Sequence, residues 1–407
     1  MKHVVLGAGA AGIAAARTIR RLRPQDEIAI VSSDGNVYSR CMLHHFLSGR
    51  RKEEELRFVP ENFFEEHRIL WLSGTTVSGI DTRGKNLRLD GDGTFSYDTL
   101  LIAAGAISSV PPVGALRTAP NVFGLRDLAD ARAIRKAAES AEDAVIVGSG
   151  LVGLDAAYAL LELGKRVTVV EAADRILPLQ LDAHAASAYQ SLFEAHGCTF
   201  RLGVGAQDTE CGEKGDVTAL LLASGERLPC GFVVTATGVR PATAFLKDGD
   251  IEAGHGIKVD TGMRTSVKDV YAAGDVTGLS GIWPNAVKQG EVAGRNMCGG
   301  AATYSDTYAL KNTINFFGLA TLSLGRTGPA EGDEIVTRED RSRYEKLILR
   351  DGAVRGVLLQ GDISNSGFWQ HLVKNGIDVS ARKSDIWKLS YSDFYALDEQ
   401  GQYIYAI

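Results

Sequence analysis

Apolar residues come in short runs along this chain, and most of the runs end in glycine. Val4-Val5-Leu6 leads into Gly7-Ala8-Gly9-Ala10-Ala11-Gly12, and Ile13-Ala14-Ala15-Ala16 follows. The run reads as a strand, the glycines as a tight turn, and the alanines as the start of a helix. Arg17, Arg20, Arg21 and Arg23 form the polar end of that helix, and Pro24 ends it. Ile28–Val31 is the next strand. The alternation recurs at Val145–Val147, which runs into Gly148-Ser149-Gly150-Leu151-Val152-Gly153; a helix over Leu154–Leu163, a Gly164 cap and a strand over Arg166–Val170 follow. Tyr97–Ala106 and Phe232–Pro241 read as strands that stop at small-residue turns. Val270–Val276 is a further strand with Asp275 in its terminal turn. A helix over Asn285–Met297 has Pro284 suited to its first position and Gly299-Gly300 to its end. Gly290 and Gly294, four apart, share one face and predict close approach of a sheet or a ring.

Each glycine of the first turn has a physical task. Gly7 makes the turn, Gly9 admits a diphosphate without a Cβ in the way, and Gly12 lets the helix lie close on the sheet. Free N–H groups and the positive end of the helix dipole then face the anion. One such turn is a common strand–turn–helix feature. The second begins 141 residues later, and both copies carry alanine four past the last glycine, at Ala16 and Ala157. Each is followed by an Ala/Thr–Gly crossing, so the unit is repeated. Two dinucleotide folds in one chain suit hydride transfer between nicotinamide and flavin.

Between these units, Glu53–His67 predicts one or two short helices, and Thr75–Leu101 strands and hairpins with a turn at Asp90–Gly93. Pro111-Pro112 marks a boundary, and Val122–Ala138 a connector and helix. From about Tyr308 the character changes. Tyr344–Arg350 and Val354–Leu359 flank Asp351-Gly352, a hairpin signal. The tail from Ile386 is rich in aromatics (Trp387, Tyr391, Phe394, Tyr395, Tyr403, Tyr405), which suits either a small core or a partner surface.

The length of 407 residues allows two or three domains, and 45% apolar with 23% charged residues is ordinary for a globular protein. The net charge of −6 argues against nucleic acid as a partner. Cys41, Cys198, Cys211, Cys230 and Cys298 are scattered and form no C-x-x-C, so neither a disulfide framework nor a metal site is expected. A reducing cytoplasmic location is the simplest fit. No apolar run reaches membrane-spanning length, and the apolar start is a strand rather than a signal peptide.

The strand Arg166–Val170 ends in Glu171, 18 residues after Gly153. A carboxylate there accepts from the adenosine hydroxyls and repels a 2′-phosphate, which favours NAD over NADP; Arg175 reads as part of the loop into the next helix. At the corresponding place in the first unit stand Ser32 and Ser33, weaker ribose partners, with Asp34 next. The loop Asn36–Gly49 is dense in chemistry. Arg40 is either a phosphate ligand or a surface arginine, Cys41 either a redox thiol or an inert one, and His44 and His45 either a proton relay or solvated side chains.

These stretches together resemble the pyridine nucleotide–disulfide oxidoreductases, and within them NAD(P)H:rubredoxin oxidoreductases and the flavin-binding part of nitrite reductase large subunits. The matching stretches include Val4–Ala16, Tyr38–Gly49, Leu125–Ile134, Val145–Pro178, Val270–Val276 and Trp283–Asn296, from residue 2 to about 325. The resemblance implies an α/β fold: two Rossmann-like three-layer domains, one for FAD (1–112 and 245–320) and one for NAD(H) (113–244), and a small α+β C-terminal interface domain (321–407). It implies FAD at Gly7, Ala8, Gly9, Ala10, Ala11 and Gly12, with Arg40 near the diphosphate and Asp275 on the ribityl chain. Val77, Ala103, Ala104, Gly105, Gly274 and Ala286 complete that set. NAD(H) is implied at Gly148, Gly150, Leu151, Val152, Gly153 and Glu171, with Gly238 beside it. The C-x-x-x-x-C pair of disulfide-reducing members is absent. Cys41, His45 and Asp155 are therefore candidates beside a flavin that carries the chemistry.

Three activities remain open on the sequence. The first is an FAD-dependent NADH:acceptor oxidoreductase serving an iron–sulfur protein or subunit such as a rubredoxin or ferredoxin. The second is an NADH oxidase, peroxidase or coenzyme A-disulfide reductase using Cys41. The third is a redox-switched flavoprotein with a binding role. Homodimerisation, or assembly into a larger complex through the C-terminal domain, goes with any of them.

Overall fold

The computed structural model describes residues 1–246, 250–305 and 311–405. Its contacts divide into two compact units: residues 1–170 with 204–305, and residues 171–203 with 306–407.

In the first unit, a parallel sheet runs in the order Val270–Ala272, Thr99–Ile102, Lys2–Leu6, Glu27–Val31, Ile69–Leu72. Both faces of its central strands are buried, as continuous apolar runs require. Val5, Ile30 and Leu101 face the helices Ala10–Leu22 and Trp283–Met297. Val4, Leu6, Ala29, Val31, Leu100 and Ile102 face the other way, with Val77, Ile80 and Leu87 of a three-stranded antiparallel sheet. The alternate pointing of successive side chains sorts the two sets.

The second parallel sheet runs in the order Arg166–Glu171, Asp143–Val147, Phe232–Thr235, Val122–Phe123. Val145, Val147 and Val233 share a core with Val217, Leu220, Leu222 and Leu228 of another three-stranded antiparallel sheet. The layered unit is thus built twice. In each copy an outer layer is a small sheet rather than helices.

Glycine makes both turns possible. Gly7 sits at φ +111°, and a Cβ on Gly12 would fall 2.0 Å from the Gly7 carbonyl oxygen; Gly153 and Gly148 repeat that 2.0 Å approach. The Gly290/Gly294 face meets neither a sheet nor a ring. It packs on the helix Ala10–Leu22: a Cβ would lie 2.1 Å from the Ala11 oxygen at Gly290 and 2.8 Å from the Ala15 oxygen at Gly294. Spacing by four marks a helix face bare of side chains but does not say what lies against it.

In the second unit an antiparallel sheet runs in the order Lys311–Phe316, Leu319–Gly325, Ala353–Gln360, Tyr344–Arg350, Glu334–Glu339. The expected hairpin turns at Asp351-Gly352, both at positive φ. Phe368, Trp369, Leu372 and Val373 of the helix Ser366–Asn375 fill its core. The aromatic tail divides between the two expectations. Trp387 and Phe394 pack on that core, whereas the hairpin Tyr395–Leu397/Tyr403–Tyr405 leaves Tyr403 79% exposed. No helix among the described residues is long and apolar enough to cross a membrane.

Candidate functional site

The first glycine turn opens on a cleft of about 550 Å³, within the range of small-molecule sites. Gly7, Ala8, Gly9, Ala10, Ala11, Ser32, Ser33, Arg40, Cys41, Val77, Ala103, Ala104, Gly105, Gly274, Asp275 and Ala286 all line it. Gly12 lies one turn back in the helix, where its bare Cα allows the close approach to Gly7. A Cβ on Gly9 would meet no protein atom within 4 Å. Its free space therefore belongs to the cleft, which suits a diphosphate drawn close to the backbone. Two helices bring N-terminal residues to the cleft: Ala10 and Ala11 from one, Trp283 and Ala286 from the other.

The charged groups are tied in two linked pairs. Arg40 donates to Asp34 (2.9 Å) and to the Arg126 carbonyl (2.8 Å). Arg126 donates to the Asp275 carboxylate and, through Nε, to the Ala106 carbonyl (3.0 Å). The Arg126 N–H donates to Asp130 (2.7 Å), which forms a capping box with Asp127 at the start of the helix Leu128–Ser140. The Tyr38 hydroxyl donates to Asp34 and accepts from the Leu128 N–H, and burial pushes its pKa up to about 12. The Ser32 hydroxyl is buried and occupied, donating to the Asp34 carbonyl (2.9 Å) and accepting from Trp71 Nε1 (3.0 Å). Ser33 is exposed at the cleft edge.

Sequence reasoning gave no role to Arg126, Asp130 or Tyr38, and named Asp34 only as the neighbour of Ser33. Asp34 reaches the cleft from beyond the strand end at which the ribose rule looks. Arg126 and Asp130 lie within Leu125–Ile134, a stretch that carries the resemblance but to which no individual role was attached.

Cys41 lies open at the cleft. Desolvation raises its thiol pKa, the nearby Asp155 carboxylate adds to the rise, and a Ser39 hydrogen bond opposes it. Burial lifts Asp155 itself to about 7. It is His44, rather than His45, that faces Asp155, at 3.7 Å. Burial, with the neighbouring His45 and Arg50, pulls His44 down to about 4. The His45 ring lies 4.0 Å from the His44 ring, and its pKa too is lowered, chiefly by burial. At neutral pH both imidazoles are uncharged.

In the second glycine turn, Gly148 adopts φ +104°, and a Cβ on Gly150 would meet nothing within 4 Å, as at Gly9. Leu151, Val152 and Gly153 open the helix Leu151–Glu162, with Val152 40% exposed. Glu171 ends its strand and accepts from the Ala173 N–H (2.9 Å). Gly238 stands at φ +100° with open space around its Cα. Arg175 bonds to carbonyls of its own loop at Pro178 and Leu181 and to Asp174.

Residues 1–290 match the family described as pyridine nucleotide-disulphide oxidoreductase, and residues 311–377 match the rubredoxin NAD+ reductase C-terminal domain. The NADH-dependent phenylglyoxylate dehydrogenase subunit epsilon of Aromatoleum evansii is 30% identical, over 94% of each chain. The NADH-rubredoxin oxidoreductase of Clostridium acetobutylicum is 27% identical, over 89% of this chain and 92% of its own. The structure of an NAD-dependent persulfide reductase from A. fulgidus superposes with a TM-score of 0.84 at 28% identity, over 94% of this chain and 78% of that one.

Proposed function

Because the chain belongs to the pyridine nucleotide-disulphide oxidoreductase family, we propose that it is an FAD-dependent NADH:acceptor oxidoreductase serving an iron–sulfur protein or subunit of the rubredoxin or ferredoxin kind. The observation that carries the choice of acceptor is the state of its cysteines. Cys41 has its thiol pKa raised, all five cysteines stand free, and burial pushes Cys198 and Cys230 up to about 12 and about 11. A protonated lone thiol is a poor nucleophile and has no partner for dithiol exchange. Electrons arriving in the cleft are therefore read as leaving without passing through a disulfide.

The flavin, when bound, supplies the hydride acceptance and the onward transfer of single electrons. The chain supplies place and charge. The Gly7–Gly12 turn and the N-terminus of the helix it opens take the diphosphate, assisted by the Arg40 guanidinium, while the N-terminus of the helix Trp283–Met297 would favour negative charge on the reduced ring. Arg126 fixes the Asp275 carboxylate to accept a hydroxyl. Gly148, Gly150 and Gly153 take the NADH diphosphate, and Glu171 its adenosine ribose. The domain boundaries 1–112 with 245–320, 113–244 and 321–407 belong to the same reading, supported by a first sheet that draws strands from both ends of the first domain. So does docking of a second copy or a subunit on the exposed Tyr395/Tyr403 hairpin, and so does a cytoplasmic location, which suits the free thiols.

The test is anaerobic. The purified protein is expected to be yellow, to bleach on NADH, and to recover its colour when oxidised rubredoxin or ferredoxin is added. Cys41→Ser should keep that turnover. A colourless protein that will not take up FAD overturns the proposal. Loss of turnover in Cys41→Ser, with peroxide or disulfide turnover in the parent, points instead to thiol chemistry.

A further inference from the structure

The helix Ala183–Ala195 follows the Glu171 loop in the chain, yet its polar contacts go to the C-terminal sheet. Three positions on one helical face are held. Asp182 caps the helix through the Ala185 N–H (3.0 Å), and its carboxylate also accepts from the Tyr344 hydroxyl and Lys346 Nζ, both at 2.9 Å. Ala185 gives its carbonyl to Gln360 Nε2 (3.1 Å). Tyr189, fully buried, donates to the Leu319 carbonyl (2.6 Å) and lies 3.0 Å from Thr321 Oγ1. The spacing of three and four residues places these positions in one stripe.

The loop between Glu171 and Asp182 is fixed at both ends. Glu171 accepts from Ala173 N–H, and the Ala173 carbonyl accepts from Gly203 N–H (2.8 Å). Ile176, Leu177 and Leu181 are buried, and Arg175 bridges the loop's own carbonyls. A loop ordered before its ligand arrives loses less freedom on binding.

We propose that the C-terminal sheet sets the loop that follows Glu171, with Tyr344, Lys346 and Thr321 acting as positioning residues that hold the Asp182–Tyr189 segment and, through it, that loop. The proposal rests on the NADH reading above. It assigns the sheet a part in nucleotide affinity in addition to any role as an interface. The proposal concerns the adenosine end of the ligand, where Glu171 stands.

The experiment compares the wild type, Tyr344→Phe and the pair Tyr344→Phe/Lys346→Met as FAD-loaded proteins. Binding of ADP-ribose, which carries the adenosine half without the nicotinamide, is measured by calorimetry. KM and kcat are measured with NADH and with reduced nicotinamide mononucleotide, which lacks adenosine. The expected result is a rise of roughly five- to tenfold in the ADP-ribose Kd and the NADH KM, the low end of couplings between sites. The kcat and the mononucleotide KM should stay at wild-type values. Should the pair fail to fold, hydrogen exchange on the wild type serves: ADP-ribose should slow exchange in Tyr344–Arg350 as well as in 171–182. Unchanged ADP-ribose affinity in folded variants, or protection confined to 171–182, overturns the proposal. A wild type that binds neither NADH nor ADP-ribose sinks the NADH reading itself.

Discussion

Two Gly→Ala substitutions of equal size should have opposite consequences, and the structure says why. At Gly290 the added methyl would sit 2.1 Å from the Ala11 oxygen and 2.9 Å from the Ala11 Cα. An ordinary carbon–oxygen contact is about 3.3 Å, so the two helices would have to separate by roughly 1.2 Å. The obstacle is backbone, which cannot rotate away. Overpacking of this kind costs about 3 kcal/mol; the better helix propensity of alanine returns about 1. The net loss is about 2 kcal/mol, and the separation displaces Ala10, Ala11 and Ala286 at the cleft. At Gly9 the methyl meets no protein atom within 4 Å, and the residue's φ of −81° is open to alanine. Folding should change by less than about 1 kcal/mol there, but the methyl would occupy the space kept for the diphosphate. The assay pairs thermal melting of the FAD-free proteins with equilibrium FAD binding, read from flavin fluorescence. Gly290→Ala should melt earlier and hold FAD more weakly. Gly9→Ala should melt like the wild type and lose FAD affinity. A Gly290→Ala protein that melts at or above the wild type would refute the steric argument, and full FAD affinity in Gly9→Ala would refute the assignment of the cleft.

Asp155 titrates near 7 in the folded chain, well above an ordinary carboxylate, because burial penalises its charge. Its stabilising contribution is thus complete in acid and is lost as pH rises through about 7. Asp155→Asn should therefore match the wild type at or below about pH 4, melt progressively later between about pH 4 and 7, and keep a constant lead above that, on the order of 4 kcal/mol; a pH-independent difference would contradict this. The same variant removes a negative neighbour from Cys41, so iodoacetamide should alkylate Cys41 faster at pH 8 than in the wild type, and an equal or slower rate would count against the contact. Glu171→Ala removes a charged acceptor worth about 1.5–3 kcal/mol. It should raise the NADH KM by about tenfold or more and narrow the preference over NADPH; steady-state kinetics with both nucleotides would expose an unchanged ratio.

What was legible in the sequence was whatever one residue decides locally. Gly7, Gly12 and Gly148 announce their turns because no other residue tolerates those angles and contacts. Asp351-Gly352 announces its hairpin for the same reason, and the repeated unit follows from two such turns at matching spacing. What was hidden depends on partners far along the chain. Nothing near Gly290 names the helix Ala10–Leu22 as its neighbour. The rule for a carboxylate at the strand end overlooks Asp34, which arrives from beyond it, and no motif foretells that Arg126 bridges Ala106 and Asp275. Tyr189 reads as an ordinary helical aromatic until its hydroxyl is found on Leu319 and Thr321.

The two glycine turns repeat the same contact to within a tenth of an ångström, Gly12 on Gly7 and Gly153 on Gly148. Such a scaffold is blind to which nucleotide it carries. On the reading proposed above, identity is written in its accessories: the Arg40 and Arg126 guanidiniums with the half-buried Asp34 and Asp275 around the first copy, one carboxylate beyond the second. Exchanging passengers on this frame is accordingly a matter of editing a few side chains while the backbone stays as it is.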